Sequence, residues 1–390
     1  MHAPLRIGLA GFGAAGQAFL PALHKHTGFQ LVAVVEPDAG LRDIAKLQCA
    51  VPVFESLTAL LLQPDLDAVY LATPTELHTQ QVIECAKHGK HVLVEKPMAI
   101  NLSDAQAMVA ATDAARVVLV VGHSHSFDAP IRAMHSWIES GRLGAVRMVN
   151  TWCFTDWMYR PRRPDELNHR MGGGVTFRQG AHQFDILRLL CGGLVSTVKA
   201  RTFDWDPDRS ATGAHTVMLD FTNGAAATAV YSGYGGLSSM DLGFPISEWG
   251  FEQTPALRSW ARKPQSPVDP QSELKAKQKR AAKAIPACAP FQPFFGLTVV
   301  HCEKGDIRQT PTGLRIETAK GTEDVLLPND QNPRDGVLIE FHDAISGKRP
   351  ALHDGRWGLA TLEVCEAVMA SSASGREVSL HHQTPTPSET

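Results

Sequence analysis

Leu5-Arg6-Ile7-Gly8-Leu9-Ala10 runs straight into Gly11-Phe12-Gly13-Ala14-Ala15-Gly16, an apolar strand pattern followed by G-x-G-x-x-G where a helix should open. In that setting the glycines let the backbone approach a pyrophosphate, whose charge meets the amino end of the helix. Glycine-rich turns also serve ordinary strand-to-helix packing, so the next strand matters. Residues 31–35 form that strand, and it ends at Glu36, twenty residues past Gly16. A carboxylate there accepts from the adenosine ribose hydroxyls and repels the extra phosphate of NADP. A solvated strand-end acid before the Pro37-Asp38 turn is the plainer alternative, and Arg42 nearby softens the discrimination. The expected cofactor is NAD rather than NADP, held by Gly11, Phe12, Gly13, Ala14, Ala15, Gly16 and Glu36.

Outward from this motif, short apolar runs at 7–10, 31–35, 68–72, 91–95 and 117–121 alternate with helical patterns. The helices are expected at 41–48 after Asp38, 76–88 after Thr75 and 104–115 after Ser103, each residue being a good N-cap. This is the grammar of a doubly wound parallel sheet, an α/β Rossmann domain spanning 1–125. After Phe127 the pattern changes. A helix at 130–139, a strand at 146–154, an irregular basic segment, three glycines and an amphipathic helix at 181–191 lead to strands at 216–221 and 225–231. Asn223-Gly224 between these two strands predicts a two-residue hairpin turn. Residues 126–390 are therefore expected to form an α+β domain with a largely antiparallel open sheet. Within it, 253–293 holds seven prolines and a lysine-rich run, which predicts a loop insertion. Asn332-Pro333 caps a helix toward 345, and 358–371 reads as another helix, so the tail is expected to pack back on the body.

The 390 residues are 44% hydrophobic and 20% charged, enough for two sizeable cores, with a formal net charge of −3 that supplies no global field for nucleic acid or anionic lipid. Small-molecule partners are expected, with no nucleic acid and no membrane. The apolar runs are strand-length and the first ten residues do not read as a leader, so the expected location is cytoplasmic. Seven scattered cysteines without a CxxC pair read as buried thiols rather than a disulfide framework or thiolate metal site.

Glu95-Lys96-Pro97 at a strand end, with Ala72-Thr73-Pro74 and His78, resembles the glucose-fructose oxidoreductase, inositol dehydrogenase and rhizopine catabolism family. The resemblance covers nearly the whole chain and implies cofactor contacts at Thr73, Pro74, His78, Glu95, Lys96 and His123. It places Lys96 beside the nicotinamide and the reacting hydroxyl, where an ammonium stabilises alkoxide character. A second family signature runs from Gly172 to Asp185, and in it His182 resembles the histidine that removes the hydroxyl proton, work suited to an imidazole near neutral pH. Asp185, one turn on, reads as structural. A homodimer or homotetramer is implied by the resemblance only.

Arg178 departs from the family pattern, standing where many polyol dehydrogenases carry aspartate. A guanidinium suits a substrate carboxylate through a bidentate pair. Arg160, Arg162, Arg163, His169 and Arg170 follow the same bias in the segment from Trp157 to Met171, although Asp165 and Glu166 lie among them. A basic lid and a small anionic substrate are expected. His123 and His125 fall at the domain junction and read as cofactor and substrate contacts rather than metal ligands, and no metal is expected.

Residues 123–131, 155–164, 177–185, 213–220 and 352–359 resemble a narrower group, the phthalate 4,5-cis-dihydrodiol dehydrogenases. That resemblance implies oxidation of an aromatic-dicarboxylate cis-diol to the catechol, with Arg178, Arg160, Arg163, Trp157 and His125 on the substrate and Lys96 and His182 as catalytic groups. Oxidation of a sugar, cyclitol or sugar acid, redox-assisted glycoside cleavage, and a non-catalytic NAD-binding regulator remain alternatives.

Overall fold

In a computed structural model, the described residues are 3–122, 124–253, 269–281, 289–330 and 333–387. His123, Asn332, Cys288 and most of the expected 253–293 insertion lie outside them. The described chain divides into two compact units, one built from residues 3–122, 278–281 and 334–359, the other from 124–253, 269–277, 289–330, 333 and 360–387.

The first unit follows the alternation read from the sequence: β1 (Leu5–Ala10), α1 (Ala14–Lys25), β2 (Phe29–Val35), α2 (Ala39–Cys49), β3 (Val53–Phe54), α3 (Leu57–Leu61), β4 (Ala68–Leu71), α4 (Thr75–Lys87), β5 (His91–Val94), α5 (Leu102–Ala115) and β6 (Leu119–Val121). The strands pair in parallel in the order β3-β2-β1-β4-β5-β6. Helices cover both faces of such a sheet, so its strands read as unbroken apolar runs; Ile7, Leu9, Val69, Tyr70, Leu71 and 92–94 are fully buried. The order reverses between β1 and β4, and in open α/β sheets the ligand sits beyond the strand ends at that point.

Helix starts correct the sequence reading in two places. Asp38 caps α2 as expected, accepting from the Leu41 amide at 2.9 Å. Asn101, not Ser103, caps α5: its backbone is extended and its side chain accepts from the Asp104 amide, whereas Ser103 already lies in the first turn. Pro74, not Thr75, occupies the cap position of α4.

The second unit holds α6 (Ala129–Glu139), β7 (Val146–Phe154), α7 (Ala181–Leu190), β8 (Val195–Phe203), β9 (Ala214–Phe221), β10 (Ala226–Ser232), α8 (Pro270–Ala281, ending in the first unit), β11 (Leu297–Cys302), β12 (Gly305–Thr310), β13 (Gly313–Thr318) and β14 (Gly321–Leu326). Beyond them the chain adds α9 (Pro333–Ile345), α10 (Gly355–Ser374) and β15 (Val378–Ser379). Nine strands form a sheet in the order β14-β13-β12-β11-β7-β10-β9-β8-β15, antiparallel except where β7 meets β10. The Asn223-Gly224 hairpin is present, but with three loop residues: the Phe221 amide bonds the Ala225 carbonyl and Gly224 takes φ +84°.

Three expectations change. α8 puts a helix inside the segment read as a loop. Residues 334–359, assigned by the sequence reading to the second domain, cluster with the first unit instead. Phe341 stacks on Phe29 at 5.6 Å, Asp335 pairs with Lys25 at 2.8 Å, and the His353 carbonyl accepts from the Val121 amide at 2.8 Å. Finally, α7 is buried from His182 to Leu190 rather than amphipathic. Its outer side is covered by the chain end, where Arg188 donates to Thr361 Oγ1, Gln383 Oε1 and the Gly193 carbonyl.

Arg188→Met keeps the volume but strips these acceptors of their buried donor, so it should destabilise the protein by about 3 kcal/mol. Urea unfolding checks this, and a loss below about 1 kcal/mol would show that Arg188 does not hold the tail.

Candidate active site

The nucleotide motif is built from glycines with different tasks. A Cβ on Gly16 would lie 2.1 Å from the Gly11 carbonyl oxygen, so α1 can approach the β1 turn this closely only without a side chain there. A Cβ on Gly13 would meet nothing within 4 Å. That open space lies at the start of α1, whose first turn carries no acidic residue and whose cap makes no side-chain bond. Helix amides and dipole there suit an anion, so the residues present fit the pyrophosphate of a dinucleotide.

Glu36 is buried and oriented. Its Oε2 accepts from the Phe12 amide at 2.7 Å and its Oε1 from the Asp38 amide at 2.9 Å, which joins the ends of β1 and β2. Arg42, the residue that could have favoured a 2′-phosphate, instead donates to the Glu36 and Pro37 carbonyls and pairs with Glu55 at 2.8 Å. Its cationic head is thereby held by protein acceptors, consistent with NAD.

At the ends of β4 and β5, the Lys96-Pro97 peptide bond is cis. Lys96 is half-buried, next to Glu95, whose carboxylate accepts from Tyr70 Oη at 2.8 Å and from the Lys96 amide at 3.2 Å. Burial raises the Glu95 pKa, with the Lys96 charge opposing. His78 is almost wholly buried; its ring nitrogens lie against the carbonyls of Thr73 (3.0 Å) and Pro97 (3.1 Å). It acts as a strut that ties the 73–74 turn to the lysine loop. Thr73 Oγ1 bonds Gln81 at 2.5 Å.

In the second unit a π-helical turn, Thr176–Gly180, leads directly into α7. Arg178 and His182 sit four residues apart across this junction, roughly one turn, which brings them toward one helix face; turns of this kind recur at functional sites. The turn is anchored from beneath. Buried His215 bonds Gln183 Oε1 at 3.0 Å through Nε2 and Thr176 Oγ1 at 3.2 Å through Nδ1. Burial pushes the His215 pKa down to about 3, so it stays neutral. Gln183 then reaches the Val230 carbonyl of β10 at 3.1 Å.

His182 Nδ1 lies 3.4 Å from both the His125 amide and Ser124 Oγ, contacts too long to hold one tautomer against the other. The His125 ring, expected on the substrate, is committed elsewhere. Its Nδ1 meets Asp128 at 2.8 Å and its Nε2 meets Glu248 at 3.2 Å, while the ring stacks on Phe295 at 4.2 Å and sits edge-on to His182 at 4.8 Å. Burial alone would lower its pKa, but the two carboxylates outweigh burial and raise it to about 9. His125 is an imidazolium that backs His182. Asp185, bonded to Ser126 at 2.5 Å, holds the same turn.

The segment 157–171, expected to be a basic lid, is more nearly balanced than local counting implied, because carboxylates arrive from distant sequence. Arg160 is drawn to Asp156 (2.5 Å) and Glu248 (3.8 Å), which raises its pKa further against burial. Arg162 lies over the Trp157 ring at 4.0 Å and pairs with Glu166, which Lys277 also holds. Arg209 pairs with Glu273 of α8. Trp157, expected to touch substrate, is 1% exposed under Arg162 and supports the loop from below. Arg163 and Arg178 share Asp165 Oδ2, at 2.6 Å and 3.3 Å. His123 lies outside the described residues. Sequence reading missed Asp128, three residues from His125, where the H-x-x-D spacing was the available signal, and also His215, Glu248, Phe295 and the α8 charges, whose pairing is set by the fold and leaves no local pattern. Among the described residues no cluster of three or more metal-ligating side chains is found, no helix is long and apolar enough to cross a membrane, and the six cysteines are free thiols.

Residues 5–123 match an oxidoreductase family with an NAD-binding Rossmann fold, and 131–237 match the C-terminal domain of the same Gfo/Idh/MocA family. The sequence is 37% identical over 378 residues, 94% of each chain, to 1-carboxy-3-chloro-3,4-dihydroxycyclo hexa-1,5-diene dehydrogenase of Comamonas testosteroni. It is 29% identical over 198 residues, half of this chain and 58% of the other, to myo-inositol 2-dehydrogenase of Thermotoga maritima. A crystal structure from Bordetella bronchiseptica RB50, described as a dehydrogenase, superposes with a TM-score of 0.90 at 35% identity over 97% of this chain and all of the other. Fold and matches together define an NAD-dependent oxidoreductase of the dehydrogenase class. The chain belongs to the Gfo/Idh/MocA oxidoreductase family.

Two outcomes follow for the glycines and for His125. Gly13→Ala should leave the melting temperature within a degree or two yet weaken NADH binding at least about tenfold by fluorescence titration, whereas Gly16→Ala should destabilise the fold itself. Equal behaviour of the two variants would contradict the assigned roles. Because the His125 pKa is raised in the folded state, its stabilisation is complete below about pH 6.5 and fades as pH rises through about 9. Between pH 6 and 9.5 wild type should therefore lose on the order of 3 kcal/mol that His125→Gln does not lose, and parallel stability curves would refute the imidazolium.

Proposed function

We propose that the protein oxidises a ring-carboxylated cyclohexadiene cis-diol to the corresponding catechol, phthalate 4,5-cis-dihydrodiol being the dicarboxylate member of that class. The observation that carries this reading is the placement of Arg178, largely buried on the π-helical turn, one turn ahead of His182. A guanidinium there supplies a planar, permanently charged partner for a carboxylate, where a neutral polyol would call for acceptors. The relative from Comamonas testosteroni carries both a carboxy group and a vicinal dihydroxy group in the name of its substrate, in keeping with such a ligand.

Bound NAD supplies a nicotinamide ring that accepts the hydride. The residues of this chain do the rest. Arg178, accompanied by Arg163, orients the ring through its carboxylate. Lys96 donates to the hydroxyl oxygen and stabilises its alkoxide character. His182 takes the hydroxyl proton. The resulting hydroxyketone enolises, its ring C–H proton going to solvent while the carbonyl oxygen gains one, and the aromatic catechol so formed draws the oxidation forward. Arg163 replaces Arg160 as the companion of Arg178, since Arg160 is bound to Asp156 and Glu248.

Arg178→Ala should lower kcat/KM on a carboxylated cis-diol by about ten- to a hundredfold, or 1.5–3 kcal/mol, mostly through KM. Lys96→Met should abolish NADH formation while retaining NADH binding. Unchanged kinetics in Arg178→Ala would remove the carboxylate from this site, and turnover by Lys96→Met would remove Lys96 from the chemistry.

A further inference from the structure

We propose that Asp165 sets the number of carboxylates the substrate carries: as a built-in anion between Arg163 and Arg178, it selects a ring bearing one carboxylate over a vicinal dicarboxylate. The inference rests on the proposed function and names the substrate class within it.

Both guanidiniums reach the same oxygen of Asp165, so three groups with a net charge of +1 stand together. This arrangement is unlike a surface ion pair, because both sides of it are fixed by backbone. Asp165 lies in a one-turn helix, Pro164–Leu167, whose start is held by Glu166 accepting from the Arg163 amide at 2.8 Å. Glu166 is in turn gripped by Arg162 and Lys277. Burial would raise its pKa, but these cations and the Arg163 amide outweigh burial, so it stays ionised. From the other side, the Gly174 amide donates to the Glu166 carbonyl at 2.8 Å, and a Cβ on Gly173 would lie 2.6 Å from the Asp165 carbonyl oxygen. The glycine run therefore packs against the Asp165 turn and leads within four residues to Arg178. The Asp165 main chain is held by that packing, and its carboxylate is held by Arg163 and Arg178.

The electrostatic consequence is direct. One substrate carboxylate entering beside Arg178 brings the four groups to neutrality. A second carboxylate on the adjacent ring carbon brings a further negative charge toward that of Asp165, and like charges placed together repel. The Arg178 substitution alone, read from sequence, points to an anionic substrate; Asp165 limits its charge.

The test compares initial rates of NADH formation, with saturating NAD, on 3,4-dihydroxycyclohexa-1,5-diene-1-carboxylate (cis-diol) and on phthalate 4,5-cis-dihydrodiol. Wild type should favour the monocarboxylate by at least about tenfold in kcat/KM, and Asp165→Asn should move the ratio toward the dicarboxylate by about tenfold or more, through KM. A purely structural Asp165 would lower both rates together and leave the ratio unmoved, which overturns the inference. Preference of wild type for the dicarboxylate also overturns it, and this measurement needs no variant. Oxidation of neither compound by wild type would refute the proposed function itself, and the inference with it.

Discussion

The bond from His215 Nε2 to Gln183 Oε1 fixes the geometry on which the substrate side of the protein depends. His215 belongs to β9 and Gln183 to α7, and through Thr176 and the Val230 carbonyl the same network joins the π-helical turn to the middle of the nine-stranded sheet. Because His215 is buried and neutral, it serves as donor at one nitrogen and acceptor at the other, and both partners are satisfied. The turn it pins presents Arg178 and His182 at fixed positions. Loosening it would cost both residues their orientation without touching either.

The first unit shows the same economy of means at the nucleotide motif. Glu36 stands where the sequence reading expects a ribose-binding acid, and its two oxygens accept from the Phe12 and Asp38 amides, which closes the gap between β1 and β2. Arg42 points away to backbone carbonyls and Glu55, which leaves the acid dominant at that strand end. Around Lys96 the strut from His78 and the Tyr70 bond to Glu95 set the loop from behind.

How much of this was legible in the sequence depended on whether the signal was local. β1 to β6 and the glycine motif were readable because a sheet covered on both faces writes continuous apolar runs, and because strand, glycines and Glu36 follow at fixed spacing. Lys96, Arg178 and His182 stood out through their motifs. The polar strands β12 to β14 gave no comparable pattern; β14 is mostly exposed along its length. The grouping of 334–359 with the first unit depends on contacts such as Phe341 with Phe29, more than 300 residues apart. Local counting also made the 157–171 segment too basic, since Glu248 and Glu273 come from far along the chain, and it put His125 and Trp157 on the substrate although one is held between two acids and the other is buried.

The central claim is that a guanidinium at position 178 makes this dehydrogenase an enzyme for carboxylated ring diols. The most direct measurement is wild-type kcat/KM, from NADH absorbance, on a carboxylated cyclohexadiene cis-diol, on the same diol lacking the carboxylate, and on myo-inositol. The account predicts that the carboxylated diol exceeds both others by at least about a hundredfold. Comparable rates on the carboxylate-free diol, or faster oxidation of myo-inositol, would contradict it.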